Sequence, residues 1–133
     1  MERKNTISQE NKAIVEKVNA SFAEGNTEGF LSLCAEDVKW TMVGEKSVQG
    51  KASIREWMSS MGDTEPPKFT VDNLVAEGEF VVANGEMTMK DKDGNIGSYS
   101  YCDFYRITEG KISELTSYVV KAEPANNSQE ASA

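Results

Sequence analysis

Histidine is absent from this 133-residue sequence, and cysteine occurs only twice, at Cys34 and Cys102. Sites that depend on histidine, namely Ser-His-Asp, Cys-His and His-metal, are therefore excluded. Two cysteines so far apart, with no apolar leader segment before them, are typical of a protein from the reducing cytoplasm. We accordingly expect a cytoplasmic protein with two free, buried thiols.

Long apolar runs and clusters of basic residues are also lacking. No segment approaches the roughly 20 apolar residues that a membrane-spanning helix needs, so we expect a soluble protein without membrane contact. The 14 basic residues are scattered among 22 acidic ones, which gives a net charge of -8. Nucleic acid is not an expected partner, because phosphate backbones bind clustered Lys and Arg. There is no glycine-rich phosphate loop and no metal-ligand pattern, so neither a cofactor nor a metal is predicted.

Length and composition predict a single domain over residues 9–121. Residues 1–8 are polar, and residues 122–133 form a low-complexity stretch without apolar periodicity. We predict that both ends are flexible, since such segments bury too little apolar surface to offset the entropy of ordering. The remaining chain is long enough to bury a core and to enclose a pocket.

Three helices are predicted in the first half of the chain. Residues 9–24 carry an apolar stripe at every fourth position, which is typical of an amphipathic helix. Asn26 or Thr27 can cap a short second helix. Helical spacing recurs over residues 51–61, which predicts a third. The stripe of the first helix consists of Ile14, Val18 and Phe22, and that of the third of Ile54, Trp57, Met58 and Met61.

Strands dominate the second half of the chain. Turn residues separate long segments rich in β-branched and aromatic side chains, so the strands should be antiparallel neighbours. Helices followed by such a meander predict an α+β domain in which a curved sheet wraps around the helices. The predicted strands cover residues 38–43, 68–76, 79–90, 96–108 and 111–120, with a further short strand within 44–50.

One acid stands in the most aromatic strand, within GSYSYCDFYRI at residues 97–107. Side chains alternate between the two faces of a strand, so Asp103 shares a face with tyrosines and an isoleucine. A carboxylate on such a face can serve chemistry. It can also simply accept hydrogen bonds from tyrosine hydroxyls, or point outward if the register is shifted by one. The other members of this face are Tyr99, Tyr101, Tyr105 and Ile107.

Four motifs occur in a specific order: GNTEGFLSLCAEDVKW after Phe22, then VQGKASIREWM, YCDFYRI and GKISELTSYVV. Together they resemble the nuclear transport factor 2-like superfamily, in particular its branch of SnoaL-like polyketide cyclases and ketosteroid isomerases, over residues 9–120. The resemblance implies a cone-shaped α+β fold, with a strongly curved, mostly antiparallel sheet around three N-terminal helices and an internal cavity. It also implies frequent dimerisation through the outer sheet face, but it implies no single activity.

The resemblance carries over only one residue of the isomerase site. Asp103 takes the position of the acid that hydrogen-bonds the substrate oxyanion in those isomerases. Their general base falls at Met42, which cannot abstract a proton. The tyrosine of their first helix falls at Val18, and its two supporting tyrosines fall near Cys34 and Met58. The standard steroid isomerase mechanism needs both a base and an oxyanion hole, so it is not expected here.

The predicted cavity suits a small, flat, mainly apolar or aromatic molecule. Burial there should raise the pKa of Asp103, which would allow this carboxyl group to act as acid or base near neutral pH. Asp103 is therefore the candidate catalytic residue. The candidate ligand-binding residues around it are Trp40, Met42, Trp57, Tyr99, Tyr101, Tyr105, Leu115 and Val119.

Glu86 is a further ligand-binding candidate, in the segment NGEMTMK. Family alignment through the Asp93-Gly94 turn places Glu86 inward, next to Asp103, where like-charge repulsion would raise the pKa of one acid. Hydrophobicity instead places Met87 and Met89 inward and leaves Asp103 alone. The sequence does not decide between these two arrangements.

Two functions from different classes follow. The first is a cofactor-independent enzyme of the isomerase, cyclase or hydratase/dehydratase type that uses Asp103. The alternative is a non-catalytic small-ligand-binding or dimeric interaction module. A homodimer is expected in either case, because an outer sheet face with Phe104 and Cys102, joined by the methionines if they point outward, would be apolar.

Overall fold

The computed structural model describes residues 2–60, 66–90 and 93–122, with side chains from residue 6 onward. The predicted fold class is confirmed: N-terminal helices pack against one large, curved, mostly antiparallel sheet that does not close on itself. The helices are α1 (Glu2–Glu24), α2 (Thr27–Ser32) and α3 (Lys51–Ser59). The strands are β1 (Cys34–Met42), β2 (Lys46–Gln49), β3 (Lys68–Phe69), β4 (Asn73–Glu77), β5 (Phe80–Lys90), β6 (Ile96–Thr108) and β7 (Lys111–Lys121).

The strands of the sheet follow the order β2-β1-β7-β6-β5-β3, and β4 pairs with β5 as well. All neighbours are antiparallel except β1 and β7, which run parallel; β2, α3 and the strands β3 to β6 lie between them in the chain. β1 begins at Cys34 rather than at Val38, and its register against β7 shifts between Cys34 and Lys39. The central strands of the sheet are therefore β7 and β6.

Helix α1 extends to Glu2, although the sequence predicted a helix from Gln9 and a flexible segment before it. Polar contacts hold this first part of the helix. The backbone N–H of Gly78 donates to the Ser8 hydroxyl over 2.8 Å, and the buried Asn11 amide donates to the Gly78 carbonyl oxygen over 2.9 Å. Such anchors carry no apolar periodicity, so the pattern of hydrophobic residues could not reveal them. The predicted flexible tail lies, from residue 123 onward, outside the described residues.

The segment predicted as one strand over 68–76 is divided into β3 and β4. Between them the chain crosses Gly85 of β5, where a Cβ atom would overlap the carbonyl oxygen of Thr70. Backbone contacts to β5 continue on both sides of the crossing, from the Thr70 N–H to the Glu86 carbonyl and from the Asp72 N–H to the Asn84 carbonyl. Glycine at position 85 thus permits a close backbone approach that interrupts the strand.

The core lies between the helices and the inner face of the sheet. Helical side chains at Val15, Val18, Phe30, Leu31 and Ile54 are at most 1 % exposed. The sheet contributes its alternate residues, which gives one continuous apolar cluster. No described helix has the length and apolar composition that crossing a bilayer requires. The sheet residues of this cluster are Cys34, Val38, Val81, Ala83, Tyr105, Ile107, Ile112 and Leu115.

Candidate functional site

Strand register places Asp103 in the middle of the inner face of the sheet. On β6 it lies opposite Ala83 of β5 and Ser117 of β7, and Ser117 is aligned in turn with Met42 of β1. Alternation along β6 puts Tyr101 on the same face as Asp103, as the sequence predicted. The carboxyl group therefore sits on a central strand and is held by pairing on both sides.

Burial along the inner face decreases from one end of the sheet to the other. Tyr105 and Ile107 of β6 are at most 1 % exposed, whereas Tyr99, near the opposite end, is half-buried. The same gradient runs along β7, from the fully buried Leu115 to the half-buried Val119. Asp103 is itself half-buried, so it lies where the sealed core gives way to the accessible end of the face.

Burial raises the pKa of Asp103 to about 6 from its ordinary value of 3.8, because the surrounding protein disfavours the charged carboxylate. A hydrogen bond from Ser117 to the carboxylate acts in the opposite direction and lowers the pKa. The cost of burial exceeds the benefit of this one bond. Asp103 is therefore an acid whose two protonation states are both populated close to neutral pH.

Ser117 was missed by the sequence reasoning. It is 4 % exposed, and its hydroxyl accepts a hydrogen bond of 3.0 Å from the indole N–H of Trp40. Its position between Leu115 and Val119, both predicted to face inward, was the available signal, since every second residue of a strand shares a face. Ser117 lies between Trp40 on β1, which donates to it, and Asp103 on β6, with which it pairs.

The two inner tyrosines nearest to Asp103 differ in their hydrogen bonds. Tyr101 donates to the Thr70 carbonyl oxygen over 2.6 Å and so fastens the crossing segment to the sheet. Tyr105 is fully buried, and its hydroxyl is without a hydrogen-bond partner among the described residues. The pKa of Tyr101 is raised to about 12 and that of Tyr105 well above 10. Burial is the larger cause of both shifts, and the negative charge of Asp103 is the second. Both hydroxyls therefore stay protonated and can donate.

An aromatic cluster borders this part of the inner face. The rings of Trp40 and Trp57 meet edge to face with centroids 5.1 Å apart, and the Trp40 ring also contacts Phe22 and Phe30. Trp57 belongs to α3 and is half-buried, with the Lys46 ammonium group 5.5 Å from its ring centroid. The cluster gives the site one wall of flat apolar surface.

Glu86 does not belong to the site, which corrects one candidate. It is exposed and lies opposite the exposed Ser100, so it is on the outer face of the sheet. Met87, paired with Tyr99, is on the inner face instead. The arrangement based on hydrophobicity is therefore right and the family alignment at this position is wrong, because β5 keeps the same face buried from Val81 onward. Within the described residues, no group of three or more Cys, Asp or Glu side chains is arranged to hold a metal ion.

The model of the SnoaL-like domain matches residues 15–115, which is most of the chain. This chain belongs to the SnoaL-like domain family. The family was expected from the sequence motifs, and the match confirms it. The sequence matches no curated protein.

Solved structures share the fold of this SnoaL-like chain. An NTF2-like protein of unknown function from Cytophaga hutchinsonii is 24 % identical, with a TM-score of 0.68 over 82 % of this chain and 98 % of its own. A candidate ketosteroid isomerase from Kribbella flavida is 19 % identical, with a TM-score of 0.74 over 88 % and 82 % of the two chains. A candidate SnoaL-like polyketide cyclase from Jannaschia sp. is 13 % identical, with a TM-score of 0.76 over 85 % and 87 %. These similarities establish the fold alone, since one fold hosts many activities.

The SnoaL-like fold of this chain brings together most of the residues that the sequence singled out. Asp103, Tyr101 and Tyr105 share the inner face of β6, and Leu115 and Val119 share that of β7. Trp40 and Met42 of β1 follow on the next strand, and Trp57 of α3 reaches the same region by its contact with Trp40. The arrangement offers one titratable carboxyl group beside an apolar wall and the Tyr105 hydroxyl, whereas the Tyr101 hydroxyl already donates its proton to Thr70.

Proposed function

We propose that this SnoaL-like protein binds a small, mainly apolar molecule against the inner face of its sheet, and that Asp103 performs acid–base catalysis on it. The reaction is of the isomerase, cyclase or hydratase/dehydratase type and needs no cofactor. The aromatic surface of Trp40 and Trp57 would hold the flat part of the ligand. By the family resemblance the isomerase base falls at Met42, so the proposed chemistry differs from the standard steroid isomerase mechanism.

One observation carries this proposal: a carboxyl group with a pKa of about 6 lies at the boundary between the sealed core and the accessible part of the inner face. A general acid or base is most effective when its pKa is near the working pH. Perturbed carboxyl groups of this kind are concentrated at functional sites, because burying an acid costs stability. At pH 7 most molecules would carry Asp103 as the carboxylate, ready to accept a proton.

Tyr105 supports the same proposal. A buried hydroxyl without a partner costs roughly 1–3 kcal/mol, so native proteins rarely keep one without a reason. Tyr105 lies one inward-facing position from Asp103 on the side of the sealed core, so a ligand oxygen that accepts from Tyr105, and removes this cost, must displace the side chains beside it. Asp103 would take a proton from the carbon next to the carbonyl group of the ligand and return it to the same or a neighbouring carbon, leaving the protein unchanged.

Hydrogen exchange on a flat apolar ketone, 2-tetralone, tests the proposal. In D2O, proton removal from the carbon next to the carbonyl group and return of a deuteron can be followed by NMR. We expect exchange with the wild-type protein and at least a roughly 100-fold slower rate with Asp103→Asn, the usual cost of losing a general base. Binding of the ketone, measured by calorimetry, should change little. The exposed Asp37→Asn serves as the matched control.

The outcomes separate the two classes of function. If wild type and Asp103→Asn bind the ketone and exchange its hydrogens at the same rate, Asp103 is not catalytic and the protein is a binding module. If the wild type neither binds the ketone nor exchanges its hydrogens, the proposed ligand class is wrong as well.

We also propose that a second copy of the chain covers the outer face of the sheet. Exposed apolar side chains are concentrated there, with Phe104 41 % and Tyr118 47 % exposed on neighbouring strands. Exposed apolar side chains on one sheet face favour a two-fold symmetric interface. Sedimentation equilibrium should give a dimer for the wild type and a monomer for Phe104→Lys, and a wild-type monomer at 100 μM would contradict the proposal. The remaining exposed members are Val75, Phe80, Ile96 and Val120.

The two cysteines support the proposed cytoplasmic location. Cys34 is buried in the core, whereas Cys102 lies on β6 with its side chain on the opposite, outer face. Both are free thiols. This arrangement suits a compartment that keeps thiols reduced.

A further inference from the structure

We propose that Ser117 and Trp40 are positioning residues for Asp103: the Trp40 indole holds the Ser117 hydroxyl so that its single proton points at the carboxyl group. The three residues lie on the adjacent strands β1, β7 and β6. The catalytic meaning of this inference rests on the proposed function of Asp103. The hydrogen-bond arrangement itself can be tested without any substrate.

The direction of the hydrogen bonds follows from the chemistry of the three groups. An indole N–H can only donate, a hydroxyl group has one proton to donate, and an ionised carboxylate can only accept. The indole of Trp40 donates to the Ser117 oxygen over 3.0 Å, which leaves the Ser117 proton for another acceptor. We assign Asp103 as that acceptor, because it pairs with Ser117 directly across from β7. The chain of bonds therefore has one direction, from Trp40 to Asp103.

The backbone holds this arrangement in place. Ser117 pairs with Asp103 in the antiparallel register and with Met42 in the parallel register, so its position is fixed from both sides. Trp40 is aligned with Leu115, the inward-facing residue of β7 that precedes Ser117. The long side chain of Trp40 therefore reaches Ser117 diagonally across the two strands. Ser117 is 4 % exposed, so water competes little for its hydroxyl.

The hydrogen bond from Ser117 determines which oxygen of the Asp103 carboxyl group is available to a ligand. Ser117 occupies one acceptor position of the carboxylate, and this favours the ionised form against the effect of burial. The other carboxylate oxygen remains for the ligand. Trp40 thus contributes both to the aromatic wall and, through Ser117, to the protonation of Asp103.

Few other groups near Asp103 titrate in the relevant pH range. On its own strand, Tyr101 and Tyr105 have raised pKa values and stay neutral below pH 9. Ala83 faces it from β5 and Ser117 from β7, and neither titrates. Cys102, the adjacent residue, points to the outer face and has a raised pKa. The helices contribute apolar side chains to the core beside this region, among them Val15, Val18 and Ile54.

Carbon-13 NMR titration of the Asp103 carboxyl group tests the inference in Ser117→Ala, Ser117→Thr and Trp40→Phe. Two or three hydrogen bonds lower the pKa of a carboxyl group by about two units, so loss of the Ser117 hydroxyl should raise the midpoint by about one unit. Ser117→Thr keeps a hydroxyl and should leave the midpoint near that of the wild type. Trp40→Phe should raise it by less, because the Ser117 hydroxyl then loses its preferred orientation.

The double variant Ser117→Ala/Trp40→Phe distinguishes positioning from a purely structural role. If Trp40 acts through Ser117, its effect on the Asp103 midpoint disappears once the hydroxyl is absent, so the double variant should titrate like Ser117→Ala alone. If the two substitutions instead shift the Asp103 midpoint by the sum of their separate shifts, the proposed role of Trp40 is overturned. An unchanged midpoint in Ser117→Ala would overturn the whole inference, even if Asp103 is catalytic. If Ser117→Ala does not fold, the titration of Trp40→Phe tests the inference instead. An Asp103 midpoint in Trp40→Phe equal to that of the wild type then counts against the inference.

These results are independent of the proposed function. Loss of hydrogen exchange in Asp103→Asn, together with an unshifted midpoint in Ser117→Ala, would refute the positioning role and keep the catalytic one. A shifted midpoint in Ser117→Ala, together with a wild-type protein that exchanges no hydrogens of the ketone, would keep the positioning role and refute the catalytic one.

Discussion

Asp103→Asn should stabilise the folded protein at neutral pH, although it removes the proposed catalytic group. The asparagine side chain has the size of the protonated acid and carries no charge. It can still accept the hydrogen bond from Ser117 through its amide oxygen. The substitution therefore removes the cost of holding a carboxylate in partly buried surroundings.

The size of this effect follows from the pKa shift of Asp103. A carboxyl group whose pKa is higher in the folded than in the unfolded protein holds its proton more tightly in the folded state. The free energy of unfolding therefore falls as the pH rises from about 4 to about 6, and the loss persists at higher pH. A shift from 3.8 to about 6 corresponds to about 3 kcal/mol. Because Asp103 keeps some solvent contact, we expect about 1–2 kcal/mol in practice.

Urea denaturation of the two proteins at a series of pH values measures this difference. The two unfolding free energies should agree below pH 4 and separate between pH 4 and pH 6, with the variant about 1–2 kcal/mol more stable at pH 7.5. The other carboxyl groups are common to both proteins and cancel in the difference. Asp37→Asn, on the exposed side of β1, should change stability by less than about 0.5 kcal/mol. A variant that is less stable than the wild type at pH 7.5 would refute the reasoning.

Three further substitutions or reagents probe other parts of the account. Gly85→Ala should lower the free energy of unfolding by about 2 kcal/mol or more in urea titrations, because its Cβ would overlap the Thr70 carbonyl oxygen. Tyr105→Phe should leave stability unchanged or raise it by about 1 kcal/mol, since it removes a buried hydroxyl without a partner, and it should weaken 2-tetralone binding in calorimetry. A thiol reagent should modify Cys34 only after unfolding, as mass spectrometry can show, because Cys34 is 1 % exposed and burial raises its pKa to about 12.

Each of these expectations has a contradicting result. A fully stable Gly85→Ala would mean that the Thr70 crossing does not approach the strand so closely. A loss of several kcal/mol in Tyr105→Phe would mean that the hydroxyl has a partner within the protein. Rapid native-state modification of Cys34 would contradict its place in the core.

Much of the fold was predictable because the local signals agreed with one another. The long strands β5, β6 and β7 are bounded by turn residues, and their alternation placed Asp103 on the face with Tyr101 and Tyr105. The features that escaped prediction depend on contacts between distant residues. The division of β3 from β4 coincides with the close approach of Thr70 to Gly85, and the part of α1 before residue 9 contacts Gly78 through Ser8. No local pattern reports either contact.

The candidate site was predictable to a lesser degree. The aromatic and carboxyl residues stood out by type, whereas Ser117 did not, since a single serine within a strand most often lies at the surface. Its role depends on the parallel pairing of β1 with β7, which brings Trp40 next to it and which no short-range motif specifies. Glu86 was misplaced by alignment through a turn, while the simple rule that one face stays apolar gave the correct orientation of Met87.

The carbon-13 NMR titration of Asp103 in the wild-type protein tests the central claim most directly. The claim is that this carboxyl group lies on the inner face of the sheet, shielded enough from water to exchange a proton near neutral pH. We predict a single midpoint at about pH 6 for its side-chain carboxyl carbon. A midpoint near 4, the ordinary value for a solvated aspartate, would contradict both the placement and the proposed acid–base role.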